Sequence, residues 1–246
     1  MTGRAMRSRT ILKPALAALI ASCCLFSGAA IASSLEISPV SVNLVVGQSA
    51  KVVEIRNRGG SSVAIQIRAY AWSQSGNSDV LVPTRDIILS PPIFTISAGG
   101  SQTIRLLLRR PGGAGERSYR LLLDEVLSPD AQRNQVGIAL RISLPVIAAA
   151  ASPPSRSLRW RARRGAGNQI LVSAANMGNV YDKVHAIAVT LPDGSHPGIV
   201  SSGDNPYLLT NTQREWIVQG ATPSATLRLN VTTQAGIGEH VLVIDP

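Results

Sequence analysis

Apolar and polar positions alternate along most of the chain beyond about residue 35. In VAIQIRAYAW, Val63, Ile65, Ile67 and Ala69 fall on one face of a strand, with Gln66 and Arg68 on the other. QTIRLLLRR sets Ile104, Leu106 and Leu108 against Arg105 and Leu107, and ATLRLNV sets Leu227, Leu229 and Val231 against Arg228 and Asn230. YRLLLDEV, QILVSAANMG, HAIAVTLPDG and HVLVIDP read as further strands. Turn chemistry separates these runs at Gly59-Gly60, Ser75-Gly76-Asn77, Ala98-Gly99-Gly100, Pro111-Gly112-Gly113 and Pro192-Asp193-Gly194. No segment holds a helical period, and no repeat of 20–50 residues is visible. Short strands with turns about every ten residues predict β-sandwiches. The small, proline-ended tract from Ala148 to Pro154 reads as a linker. It divides the chain into two all-β domains at 33–149 and 155–246, joined by 150–154.

One strand stands apart. VGIALRISLP, Val136 to Pro145, places Ile138, Leu140, Ile142 and Leu144 on one face. Gly137, Ala139, Arg141 and Ser143 fall on the other. A row of four large aliphatic side chains is either a core face or a surface offered to another protein. Edge strands ordinarily hide or blunt such a row.

The first 32 residues are set apart from the fold. Arg4, Arg7, Arg9 and Lys13 precede an apolar run from Ala15 to Ile31, and Ala30-Ile31-Ala32 offers a small-x-small cleavage site. This is the layout of a secretory signal peptide. The run IASC, Ile20 to Cys23, offers lipoprotein cleavage before Cys23 as an alternative, and an uncleaved anchor is a second. Cleavage near Ala32 removes both cysteines and reduces the formal net charge from +10 to +6. An exported chain without cysteine has no disulfide staples and must be held together by burial. Its hydrophobic fraction of 45% suffices for a core, and with only 4% aromatic residues aliphatic side chains do most of the packing. No membrane span is expected in the mature chain.

Catalytic constellations are absent from the pattern. His185, His196 and His240 lie at no metal-ligand spacing, no GxSxG surrounds a serine, and no glycine-rich loop precedes a lysine. Asp124 and Glu125 are adjacent in a strand, so their side chains point to opposite faces and form no dyad. The basic run RSLRWRARR alternates Leu158, Trp160 and Ala162 with Arg159, Arg161 and Arg163. That is a core face and a solvated face, and a nucleic-acid partner is not expected. Neither an enzyme, nor a metal, nor a cofactor is called for.

Several stretches resemble the periplasmic chaperones of chaperone–usher pili, in wording closest to the archaic, spore-coat-U-associated branch. They are ISPVSVNL (Ile37 to Leu44), SPPIFTISAGGSQTIRL (Ser90 to Leu106), YRLLLDEV (Tyr119 to Val126) and VGIALRISLPV (Val136 to Val146). In the second half, NMGNVYDKV (Asn176 to Val184) and YLLTNTQREW (Tyr207 to Trp216) resemble the matching segments. The resemblance implies two immunoglobulin-like sandwiches in an L-shaped arrangement. It also implies donor-strand complementation: a strand of the first domain completes a pilin-like subunit that lacks its final strand, and the subunit passes to an outer-membrane usher. Ile138, Leu140, Ile142 and Leu144 would be the plugs, each contributing roughly 1.5–3 kcal/mol when fully buried. Ile37, Val40, Val42 and Leu44 would form an N-terminal segment that also pairs with the subunit. The family's cleft anchors the subunit's terminal carboxylate with two basic residues. Here Ser41 replaces the family arginine, and Arg141 is the nearest cation to the family lysine. The exposed apolar strand would also favour a self-capping dimer. The alternative reading is a secreted adhesion or carbohydrate-binding module, or a pilus structural component, on paired sandwiches.

Overall fold

The structure is a computed structural model that describes residues 35–111, 113–126, 139–201, 205–220 and 224–246. The expected signal peptide, residues 1–32, lies outside them, as does Ile138.

Among the described residues every regular element is a strand. In the first half, β1 (Leu35–Ser38), β3 (Ala50–Asn57), β8 (Ser101–Leu108) and β6 (Ile87–Ser90) form one sheet in that order. The second sheet runs β2 (Val42–Leu44), β10 (Arg141–Ala148), β9 (Arg117–Val126), β4 (Val63–Ser75), β5 (Ser78–Pro83), with β7 (Ile93–Ile96) paired to β4. The alternation in the sequence decides the faces. Val53, Ile55, Ile104, Leu106 and Leu108 of one sheet meet Ile65, Ile67, Leu121 and Leu123 of the other in a closed aliphatic core. Leu107, on the opposite face of β8, remains 42% exposed.

The second half repeats this design. β11 (Leu158–Arg164), β12 (Ile170–Asn176), β16 (Gln213–Gln219) and β14 (Gly198–Ser201) form one half, and β18 (Gly236–Asp245), β17 (Thr226–Thr233), β13 (Asp182–Thr190) and β15 (Tyr207–Leu208) the other. Trp160 and Trp216 stack at 5.7 Å within a core completed by Val172, Leu227, Leu229 and Val231. Arg159, Arg161 and Arg163 face solvent, so the basic run is the outer face of an ordinary strand.

The two sandwiches share a local device that no sequence repeat betrays. β3 ends at buried Asn57, whose side-chain amide donates to the Ser61 and Ile96 carbonyls, and whose Oδ1 accepts from the Gly59 N–H at 2.9 Å. β12 ends at buried Asn176, which donates to the Val180 and Leu208 carbonyls and accepts from the Gly178 N–H at 2.9 Å. Each asparagine satisfies turn groups that burial would otherwise strand.

Two boundaries differ from the sequence pattern. The last strand begins at Gly236 rather than near His240, because the glycines and Glu239 that break the alternation still pair with β17. Ala148 ends β10, and both Ala148 and Ala150 are buried, so the start of the expected linker is held against the first sandwich. Asn179 holds the rest, its side-chain amide donating to the Ser152 hydroxyl and the Pro153 carbonyl. Just past the linker, Gly178 allows a close approach, since a Cβ on Gly178 would meet the Ser155 carbonyl at 2.3 Å.

Candidate functional site

β10 pairs with β9 along its whole length, from Arg141 opposite Asp124 to Ala148 opposite Arg117. On its other side β2 covers only Val146–Ala148, in parallel. Among the described residues, Arg141 to Pro145 therefore form an open edge. The direction of each backbone group follows from two hydrogen bonds. The Glu125 N–H donates to the Leu140 carbonyl at 2.9 Å, and the Ala149 N–H donates to the Leu44 carbonyl at 2.9 Å. In an antiparallel pair these directions alternate. Residues 140, 142 and 144 thus turn their backbone toward β9. Arg141 and Ser143 direct N–H and C=O to the open side, where Pro145 presents only its carbonyl. Proline sits at a position where losing a donor costs nothing inside the domain.

The edge is open because the N-terminal chain changes sheets. β1 pairs with β3 in the opposite sheet, and the chain then crosses through Pro39 to Ser41 before β2 joins β10. Leu35 and Ile37 of β1 and Ile142 of β10 are all half-buried against the same core, on the side of the sandwich where that crossing leaves a gap. Val42 and Leu44 are fully within the core, while Val40 is 77% exposed in the crossing segment. The N-terminal residues Ile37, Val40, Val42 and Leu44 are thus divided between two sheets and a crossover, not gathered on one strand.

The four expected plugs are also divided. Leu144 is 2% exposed and belongs to the first core, because it points inward opposite Leu121. Ile142 is half-buried, and Leu140, just before the strand, is 37% exposed. Among the described residues the accessible apolar surface of this row therefore lies at Leu140 and Ile142.

One carboxylate, that of Asp124, holds the start of the open segment. Asp124 accepts from Arg68 at 2.6 Å and from the Arg141 guanidinium. Burial pushes its carboxyl up, but the hydrogen bonds from Arg68 and Arg141 together outweigh that and hold it below the usual range. Arg141 is accordingly tied to its own sheet. It lies about 16 Å along the strand from Val146, where Ser41 and β2 sit.

That Val146 end of β10 meets the second sandwich. Trp72 and Ile147 pack with Tyr207 and Leu209, and Trp72 meets Tyr207 edge-on at 5.1 Å. The Arg120 guanidinium lies 3.7 Å over the Trp72 ring and 3.6 Å from Asp79. Lys183 Nζ lies 4.6 Å from the Tyr207 ring centroid. Gln74 receives the Leu209 N–H and the Thr212 hydroxyl, and Asn77 exchanges two hydrogen bonds with the Glu215 backbone. Glu116 accepts the Tyr181 N–H at 2.8 Å, and burial raises its carboxyl to about 7. Trp72 Nε1 is buried with no hydrogen-bond partner among the described residues. Beyond isolated aromatics, no local pattern along the chain marks this junction, since its members come from strands far apart in the chain.

Residues 34–152 match the family model described as pili and flagellar-assembly chaperone, PapD N-terminal domain. Among solved structures, the chain resembles the CsuC–CsuE chaperone–tip adhesion subunit pre-assembly complex of archaic chaperone–usher Csu pili of Acinetobacter baumannii. The TM-score is 0.64 at 22% identity, over 87% of this chain and 99% of that one. The YadV chaperone gives a TM-score of 0.61 at 17% identity, over 85% and 99% of the two chains. The Salmonella enterica SafA pilin in complex with the SafB chaperone gives 0.56 at 17%, over 86% and 95%. At these identities the likeness is one of fold. A comparison with curated protein sequences gives no match.

Proposed function

We propose that the chain, whose residues 34–152 match the PapD N-terminal domain of pilus-assembly chaperones, caps pilin-like subunits at the open edge of β10 and hands them to an outer-membrane usher. The family is one of chaperones, not enzymes, and its pilus chaperones are periplasmic. We place this chain in the periplasm too, after removal of a signal peptide near Ala32.

The single observation that carries the reading is the edge from Arg141 to Pro145, unpartnered among the described residues, beside half-buried Leu35, Ile37 and Ile142. A subunit lacking its last strand has the complementary defect: an open groove into its own core. Strand addition joins the two. Backbone groups of Arg141, Ser143 and Pro145 supply sequence-tolerant attraction, while Leu140 and Ile142 supply apolar contact, with Ile138 ahead of them. The two described side chains contribute on the order of 1.5–3 kcal/mol each at full burial, less what Ile142 already buries, before association costs. Leu144 anchors the strand to its own sandwich instead. No nucleotide is needed, and release follows when a neighbouring subunit's extension takes the edge's place.

The subunit's terminal carboxylate needs a cation near the junction. Arg141 is at the wrong end of β10 and bound to Asp124. We assign the contact to Lys183, beside Tyr207 at the junction.

The test is the double variant Leu140→Arg, Ile142→Arg, co-expressed with a subunit encoded beside the chaperone. Loss of the one-to-one complex is expected, with the variant still folded by circular dichroism. Recovery of complex at the unmutated yield would refute the assignment.

A further inference from the structure

The second sandwich carries an open edge of its own, longer than the one on β10. β18 pairs with β17 from Gly236 to Val243, but β11 reaches its other side only at Ile244 and Asp245. Among the described residues, nothing pairs with that side of the eight consecutive residues Gly236 to Val243. Beside them lies a cavity of about 240 Å³ lined by Leu158, Trp160, Val231, Ile237 and His240. The Ile244 N–H donates to the Ala225 carbonyl, so even-numbered residues turn their backbone to β17. Ile237, Glu239, Val241 and Val243 turn theirs outward. The same four side chains lie on the outer face, where Ile237, Val241 and Val243 are 86%, 71% and 68% exposed. Apart from the charge of Glu239, the usual protections are missing. Neither proline nor lysine occurs in the strand, and it is ten residues long, whereas the edge strands β1, β6, β14 and β15 have two to four.

We propose that this edge pairs with the β18 edge of a second copy of the chain, antiparallel about a twofold axis at His240. The sequence selects that occupant and that register. Outward-facing backbone groups oblige odd-numbered residues to meet odd-numbered ones. With His240 opposite itself, Ile237 meets Val243 and Glu239 meets Val241, on both sides of the axis. Apolar pairs close the ends, and Glu239 faces no like charge directly. Moving the axis to Glu239 would set two carboxylates face to face, and moving it to Val241 would set Ile237 opposite Asp245, which is already paired with β11. Each Glu239 also keeps its own Arg228, 3.4 Å away on β17. The interface is isologous, so it closes as a dimer and propagates no further. It leaves the β10 edge free, so both copies can hold a subunit.

The test uses the full chain, exported to and purified from the periplasm of a host cell. Sedimentation should show a concentration-dependent dimer. Val241→Lys, a change on an exposed face, should weaken it at least about tenfold while leaving subunit capture unchanged. His240→Cys should give a reducible cross-linked dimer that the unmutated chain does not form. Directly opposed residues of a non-hydrogen-bonded pair have Cα atoms about 4.5 Å apart, within disulfide reach. Ser143→Pro, which alters the β10 edge, should leave the dimer intact. A monomer at every concentration overturns the proposal. So does a dimer that Val241→Lys does not weaken and His240→Cys does not cross-link, since self-pairing would then run elsewhere. Neither result touches the capping role of β10.

Discussion

Asp124 binds two guanidinium groups at once, that of Arg68 on β4 and that of Arg141 at the first residue of β10. The pairing ties three neighbouring strands together across the outer face of the sheet, at the point where the open edge begins. It holds the edge straight before any partner arrives, which lowers the ordering cost of strand addition.

Asp124→Asn tests this. Arg68 and Arg141 are 44% and 63% exposed, so solvent screens both ion pairs and neither does much for folding. Overall stability should barely change. Amide exchange at the start of β10 should accelerate, and subunit association should slow. Unchanged exchange at Ile142 and Ser143 would show that the carboxylate does not order the edge.

Ser143→Pro separates backbone from side chain. The Ser143 N–H points to the open side, so its removal breaks no bond to β9. The chain should remain folded, but subunit capture should fall by about tenfold, the loss of one inter-chain hydrogen bond of about 1 kcal/mol plus the ring's bulk. Capture equal to the unmutated protein's, measured by surface plasmon resonance, would place the contact on another edge.

Leu144→Ala distinguishes a core residue from a plug. With 2% exposure the side chain should behave as core, costing about 2–5 kcal/mol of unfolding free energy in urea titration. A stability loss below about 1 kcal/mol with lost subunit binding would return Leu144 to the row of plugs.

Glu116 makes stability depend on pH. Its carboxyl titrates near 4.5 in an unfolded chain but near 7 in the fold, because burial outweighs the Tyr181 N–H and the nearby Arg156. The unfolded chain loses the proton first, so this contribution is fully present below about 4.5 and is lost as pH rises to about 7. With part of the group in solvent, the difference is about 1–2 kcal/mol. Glu116→Gln keeps an oxygen for the Tyr181 N–H and should flatten this part of a melting-temperature profile between acid and neutral pH. An identical profile in the variant would assign the titration elsewhere.

Lys183→Met should weaken binding of a subunit with a free terminal carboxylate and leave a subunit ending in an amide unaffected. Equal weakening of both would mean that Lys183 acts through the Tyr207 ring rather than on a charge.

Strand identity and facing came from the sequence alone. In β4, β8, β11 and β17 the side chains expected inside are inside or half-buried, because a strand's period of two ties face to residue parity regardless of what the strand pairs with. The row Leu140, Ile142, Leu144 was legible for the same reason. Its division was not, because parity cannot say how far a neighbouring strand extends. Leu144 is core and Leu140 is accessible only because the N-terminal chain crosses between sheets at Pro39 to Ser41. The junction of Trp72, Arg120, Lys183 and Tyr207 was hidden for a related reason. Its residues are separated by up to 135 positions and meet only when two sandwiches pack. Local alternation determines which side a residue faces; only the assembled fold determines what, if anything, stands opposite.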